Sequence, residues 1–145
     1  HKVFGDLQLI THDGRLIPLT YEEMKKFDLD LEFGQMGEKF VEDLQNGNTK
    51  IEVKTERDIW KTTGNIAVEI RYKNKPSGIS TTGSSIWIHL LSDNDKIVGG
   101  YIFSVDYLKK KIIELKEKGK LKLVMGGDFN ASQMALIPRT ELFHF

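Results

Sequence analysis

The chain contains no cysteine and has no excess of either charge. Without cysteine, disulfides, thiolate metal sites and cysteine nucleophiles are excluded, and the composition fits a reducing compartment. Twenty-one basic residues balance 21 acidic ones, so no net field attracts a polyanionic partner. No apolar run approaches the length of a membrane span, and no signal peptide is visible. We therefore expect a cytoplasmic protein that does not associate with membranes.

A length of 145 residues suits one domain with a sizeable core, and we expect a single domain over 1–145. Basic residues are nevertheless dense at Arg71, Lys73 and Lys75, so net neutrality does not exclude nucleic acid. The sequence contains no glycine-rich phosphate loop and no Walker motif, so no motif supports the interpretation that the protein is a nucleotide-dependent enzyme.

Alternating apolar and polar residues predict strands over 49–58 and 66–73. On the first strand, Val53 is expected to face inward and Glu56 outward. On the second, Glu69 lies on the polar face. Other patterns predict a hairpin around 11–14, helices from Thr20 and over 34–47 and 104–118, strands over 85–92, 96–104 and 121–127, and a loop after 127. The order of elements indicates an α/β protein without regular βαβ alternation.

Asp58 and Glu69 each lie on the polar face of one of these two predicted strands. If the strands pair antiparallel through the turn at 59–65, Asp58 and Glu69 point to the same face. Two carboxylates at close range repel each other, and a divalent cation such as Mg²⁺ would compensate. Arg71 follows Glu69 on the same face and is expected to reach the same cavity, while Glu38 on the preceding helix is a candidate third acid.

The arrangement of Asp58, a turn and then Glu69-x-Arg71 resembles the D…(D/E)xK signature of the PD-(D/E)xK nuclease superfamily. The longer block "TGNIAVEIRYKNKPSGISTT" followed by Trp87 resembles a group of small phage-type endonucleases, and residues 126–138 are similar to their C-terminal stretch. The resemblance covers roughly residues 34–138.

This resemblance implies a restriction-endonuclease-like fold, in which a mixed central β-sheet is flanked by α-helices. It also implies phosphodiester hydrolysis that depends on Mg²⁺ or Mn²⁺. Asp58, Glu69 and Glu38 would be the metal ligands. Arg71 occupies the usual lysine position, and because arginine stays protonated it could stabilise charge but not act as a base. Lys54 or Lys73 could take the lysine role instead.

The segment after the catalytic strand supplies candidate contacts to substrate. Gly78 would permit close approach of a phosphate, and the hydroxyls of Ser77, Thr81 and Thr82 can bond phosphate oxygens. Lys54 is a further candidate for this contact.

We interpret the sequence as a metal-dependent DNA endonuclease, acting in the cytoplasm of a bacterial host if it is phage-encoded. The alternative is a catalytically degenerate module of the same fold that binds nucleic acid or protein without cutting. The sequence is compatible with cleavage that is specific for a DNA sequence or for a DNA structure, and with DNA or RNA as substrate. It is also compatible with one or two metal ions and with a monomer or a homodimer.

Overall fold

The computed structural model describes residues 8–10, 12–18 and 20–145. These form two compact units, which are divided between residues 48 and 49. No helix in the described part of the chain is long and apolar enough to cross a membrane. The protein is mixed α/β, as expected; the single-domain organisation stays a prediction.

The first unit contains a hairpin and a long helix. Strand β1 (Gln8–Ile10) pairs antiparallel with β2 (Leu16–Pro18), which confirms the hairpin predicted there. Helix α1 (Tyr21–Gln45) begins at Thr20, whose side chain accepts from the Glu23 backbone while the Glu23 carboxylate accepts from the Thr20 backbone. The predicted capping box is therefore present. The two short helices predicted from sequence form one helix in the structure.

The second unit begins with strand β3 (Ile51–Glu56) and contains the remaining elements. These are α2 (Trp60–Thr63), β4 (Asn65–Tyr72), β5 (Lys75–Pro76), β6 (Ile86–Asp93), β7 (Lys96–Ser104), α3 (Val105–Glu117), β8 (Lys122–Gly126) and β9 (Ser132–Pro138). Strand β9 lies where the sequence predicted a loop, because its residues do not alternate in polarity. It is nevertheless an interior strand of its sheet.

Strands β3 and β4 belong to different sheets, so the predicted antiparallel pairing between them is wrong. Three strands are ordered β3-β6-β7, and β3 runs parallel to β6. Four strands are ordered β5-β4-β9-β8, all antiparallel to their neighbours. The connection through α2 is a helical turn that ends at Gly64 with φ +73°, rather than a hairpin.

The core of the second unit is built from both sheets and from α3. Its largest fully buried apolar side chains are Ile66, Val68, Trp87, Phe103, Leu108, Leu115, Ile137 and Leu142. The face expected to be inward on β3 is reversed, because Val53 is half-exposed while Glu56 is largely buried. Buried His89 is the partner of Lys54 in the β3–β6 register. The polar face of β3 therefore turns toward the protein interior.

Candidate active site

A cavity of about 200 Å³ is lined by residues of β3, β4, β6 and β9. Its ionisable lining residues are Lys54, Glu56, Glu69 and His89, and its walls are completed by Thr55, Ala67 and Met134. Two carboxylates and an amine thus face one space from strands of both sheets.

The Glu56 carboxylate is held by a chain of hydrogen bonds through β6. The indole N–H of Trp87 donates to Nδ1 of His89 over 3.0 Å, and Nε2 of His89 lies 2.7 Å from Oε1 of Glu56. An indole nitrogen can only donate, so Nδ1 of His89 accepts and Nε2 carries the hydrogen that it donates to Glu56. The backbone N–H of Ala67 donates to the same Oε1. Both bonds orient Glu56 and leave Oε2 for another partner.

The Glu69 carboxylate is fixed by two hydroxyl groups from different parts of the chain. Ser132 at the start of β9 donates to Oε1 over 2.6 Å. Ser77 donates to Oε2 over 3.2 Å. Each carboxylate oxygen keeps one lone pair that accepts neither of these bonds. The carboxylate is therefore held in one orientation and can still bind another partner.

The backbone of Gly78 packs closely against the backbone of Glu69. Its φ is +56°, and a Cβ added there would overlap the carbonyl oxygen of Glu69 and lie 2.9 Å from the Glu69 Cβ. Only glycine combines this backbone conformation with this approach. The Pro76-Ser77-Gly78 turn therefore supports Glu69, whereas the sequence predicted a contact with substrate.

Asp58 lies outside the Glu56–Glu69 cavity. It follows the end of β3 and accepts a hydrogen bond from the backbone of Asn94 over 3.2 Å. It lines a second cavity of about 380 Å³ with Arg57, Ser92 and Asp95. The structure therefore does not bring Asp58 and Glu69 into one cavity.

Arg71 is separated from Glu69 by a β-bulge at Ile70. In the register, Glu69 pairs with Met134 but Arg71 pairs with Gln133, the next residue of β9. Side chains of successive strand residues point to opposite faces, so the bulge moves Arg71 off the face that carries Glu69. Arg71 is exposed and does not line the cavity. Its catalytic role stays a prediction.

Lys73 lies at a hairpin tip, whereas the sequence placed it on the strand. Lys73 and Asn74 both have positive φ, 49° and 65°, and join β4 to β5. The Lys73 ammonium lies over the Tyr72 ring, 5.4 Å from its centroid.

The remaining predicted residues are Glu38, Thr81 and Thr82. Glu38 is an exposed residue of α1 in the first unit. Thr81 is exposed, and Thr82 accepts a hydrogen bond from the backbone of Ser84 over 3.2 Å. The role of Glu38 as a metal ligand and the contacts of Thr81 and Thr82 with substrate stay predictions.

The donor set of the cavity fits one kind of metal ion. Within the described residues, no group of three or more histidine or acidic side chains is arranged to hold a metal. A closed, all-protein cage is thus not available there. Mg²⁺ is commonly held by one or two carboxylates and completes its shell with water and phosphate oxygens. Glu56 and Glu69 match that pattern.

Sequence reasoning missed Glu56, although a signal for it was present. Glu56 and Asp58 share the parity of the polar face of β3, but only Glu56 lies within the strand. A strand of six residues ends before Asp58, so parity no longer determines where the Asp58 side chain points. His89 also alternates with the buried Trp87 and could have indicated a polar partner opposite it.

Comparison of the chain with family models, curated proteins and solved structures finds no match.

Proposed function

We propose that the protein is a metal-dependent endonuclease that hydrolyses DNA phosphodiester bonds at the Glu56–Glu69 cavity. The observation that carries the proposal is the convergence of these two glutamates with Lys54 on one cavity. Glu56 replaces Asp58 in the role expected from the sequence, while Glu69 keeps its role.

The two glutamates would hold the Mg²⁺ or Mn²⁺ ion. A bound divalent cation supplies positive charge to a phosphate oxygen and makes water a stronger nucleophile. The ligands of this ion would be Oε2 of Glu56 and the remaining lone pairs of the Glu69 carboxylate. His89, Ser77 and Ser132 keep both carboxylates oriented, as outer hydrogen bonds commonly do for metal ligands.

Lys54 provides the positive charge that the sequence assigned to Arg71. It lines the cavity, and within the described residues it forms no ion pair. An ammonium group facing a phosphate stabilises the negative charge that develops in the transition state. The lysine ammonium is a compact point charge on a long, flexible side chain, so it can stay close to the phosphate as that charge develops.

The segment that carries the family resemblance also supports this assignment. Residues 63–65 end α2 and begin β4, which presents Glu69. Ser77 and Gly78 then return to the Glu69 carboxylate and backbone. The resembling residues therefore surround one of the two proposed ligands.

Nicking of supercoiled plasmid tests the proposal. The parent should cut with Mg²⁺ or Mn²⁺ and stop with chelator. Glu56→Gln and Glu69→Gln should each lose more than roughly 100-fold, beyond the loss typical of outer-shell substitutions. Asp58→Asn is the matched control, because it removes an acid that lines the other cavity; it should cut within about twofold of the parent.

Three results would contradict the proposal. Loss in Asp58→Asn with retention in Glu56→Gln would return the site to Asp58. Equal cutting by all three variants would place the chemistry elsewhere. A parent that binds DNA but never cuts would establish the binding-module alternative.

A further inference from the structure

The turns that end two neighbouring hairpins lie side by side in the four-stranded sheet. One joins β4 to β5 through Lys73 and Asn74; the other, residues 127–131, joins β8 to β9. The backbone N–H of Lys73 donates to the carbonyl of Ala131 over 2.9 Å. We call residues 71–75 together with 127–131 the paired tips.

Phe129 projects from the paired tips into solvent. Its side chain is fully exposed, with a relative accessibility of 102%, and its backbone has φ +57°. A bulky residue in the left-handed region is an outlier, and such residues concentrate at functional sites. An exposed phenylalanine in a strained conformation contributes nothing to the core that would explain its presence.

The first of the two tips carries three exposed cations. Arg71, Lys73 and Lys75 are exposed, and Asp128 is the acid within the paired tips. In the described chain, none of the three cations forms an ion pair with a carboxylate. The surface therefore combines an exposed aromatic face with uncompensated positive charge.

The paired tips are joined to the proposed active site through Ser132. Ser132 follows the second tip, pairs with Tyr72 in the sheet register and donates to Oε1 of Glu69. The paired tips and the Glu69 carboxylate therefore belong to one stretch of the β4–β9 pair.

We propose that the paired tips bind unpaired DNA, with Phe129 stacked on a base and Arg71, Lys73 and Lys75 on the phosphates. Basic grooves with exposed aromatic rings bind single strands in this way, because every base has a stacking face. A duplex hides those faces, so the surface selects a single strand, a flap or a tail. The inference rests on the proposed function, because it names the form of DNA that reaches the Glu56–Glu69 cavity.

Fluorescence anisotropy with chelator present tests binding without cleavage. The probes are a labelled single strand, the matching blunt duplex, a duplex with a single-stranded tail and the single strand as RNA. Phe129→Ala should bind the single strand and the tail roughly tenfold more weakly, and the duplex as the parent does. Phe129→Trp should restore the affinity. Phe145→Ala, which removes an exposed phenylalanine beside Tyr107 and Lys111, should change nothing.

Two further variants separate stacking from charge and from folding. Lys73→Ala should weaken binding to every DNA probe and flatten the salt dependence by about one phosphate contact. Phe129→Gly accepts the positive φ, so its melting temperature should equal or exceed that of the parent while single-strand binding falls.

The inference is overturned if Phe129→Ala binds all probes as the parent does, or if the blunt duplex loses as much affinity as the single strand. Tighter binding of the RNA strand would overturn the assignment to DNA. A parent that binds the single strand through Phe129 but never cuts would sink the proposed function alone. A parent that cuts, with Phe129→Ala unchanged, would sink this inference alone.

Discussion

Ser132 donates a 2.6 Å hydrogen bond to Glu69, a residue 63 positions earlier in the chain. Ser132 is buried at the start of β9, and its side chain reaches the carboxylate from the neighbouring strand. A hydrogen bond to a charged group contributes about 1.5–3 kcal/mol. This contact fixes the direction of the carboxylate that we propose as a metal ligand.

Replacing this hydroxyl should impair metal binding and cleavage. Ser132→Ala should lower Mg²⁺ affinity and plasmid nicking roughly 10- to 100-fold, as loss of an outer hydrogen bond does at metal sites. Titration calorimetry and nicking rates measure the two effects. Ser80→Ala is the control, since Ser80 donates to the Ile70 carbonyl and to no acid. Equal effects of the two substitutions would argue against a role through Glu69.

Gly78→Ala should destabilise the protein by more than about 1 kcal/mol, because the methyl group meets the Glu69 backbone and alanine resists the positive φ. Thermal unfolding measures the change. Gly83→Ala is the matched control: its added Cβ meets nothing within 4 Å. An unchanged melting temperature in Gly78→Ala would show that the turn relaxes without cost.

The hydrogen-bond chain through β6 predicts one histidine tautomer. Nitrogen NMR at neutral pH should find hydrogen on Nε2 of His89 and none on Nδ1, because the Trp87 indole donates to Nδ1. In Trp87→Phe that constraint is removed, and the tautomer preference should weaken. A hydrogen on Nδ1 in the parent would refute the assigned direction of the chain.

Arg71 and Lys54 should differ in which kinetic constant they affect. Arg71 lies off the cavity face, so Arg71→Ala should raise KM with little change in kcat. Lys54 lines the cavity, so Lys54→Ala should lower kcat by roughly 100-fold. Steady-state cleavage of a short labelled DNA separates the two. The opposite assignment would restore Arg71 to the role that the sequence gave it.

Acid should remove a stabilising contact near the C-terminus. The hydrogen bond from Lys120 lowers the pKa of Glu141 below its ordinary value of 4.5. A carboxyl group whose pKa is lowered by folding stabilises the folded protein at pH values above its ordinary pKa. This stabilisation is lost as the pH falls through the lowered pKa of the folded state. Between pH 7 and 3, the melting temperature of the parent should therefore fall more than that of Glu141→Gln. Parallel curves would show that the contact has no effect on stability.

Local sequence signals were sufficient for most individual elements. The capping box at Thr20 and Glu23, the first hairpin and the amphipathic α3 follow from contacts within a few residues of one another. Short-range hydrogen bonds and apolar periodicity determine such features wherever the segment lies. Glu69 was also singled out as a candidate from sequence, because it belongs to a distinctive block of neighbouring residues.

The partners of Glu69 were decided by tertiary structure alone. Pairing β3 with β6 and β4 with β9 brings Glu56, His89 and Ser132 around it, and these contacts span tens of residues in the chain. The bulge at Ile70 then reverses the face on which Arg71 lies. Alternation within one strand cannot reveal which strand is its neighbour, or where one extra residue shifts the register, because both depend on packing between distant segments.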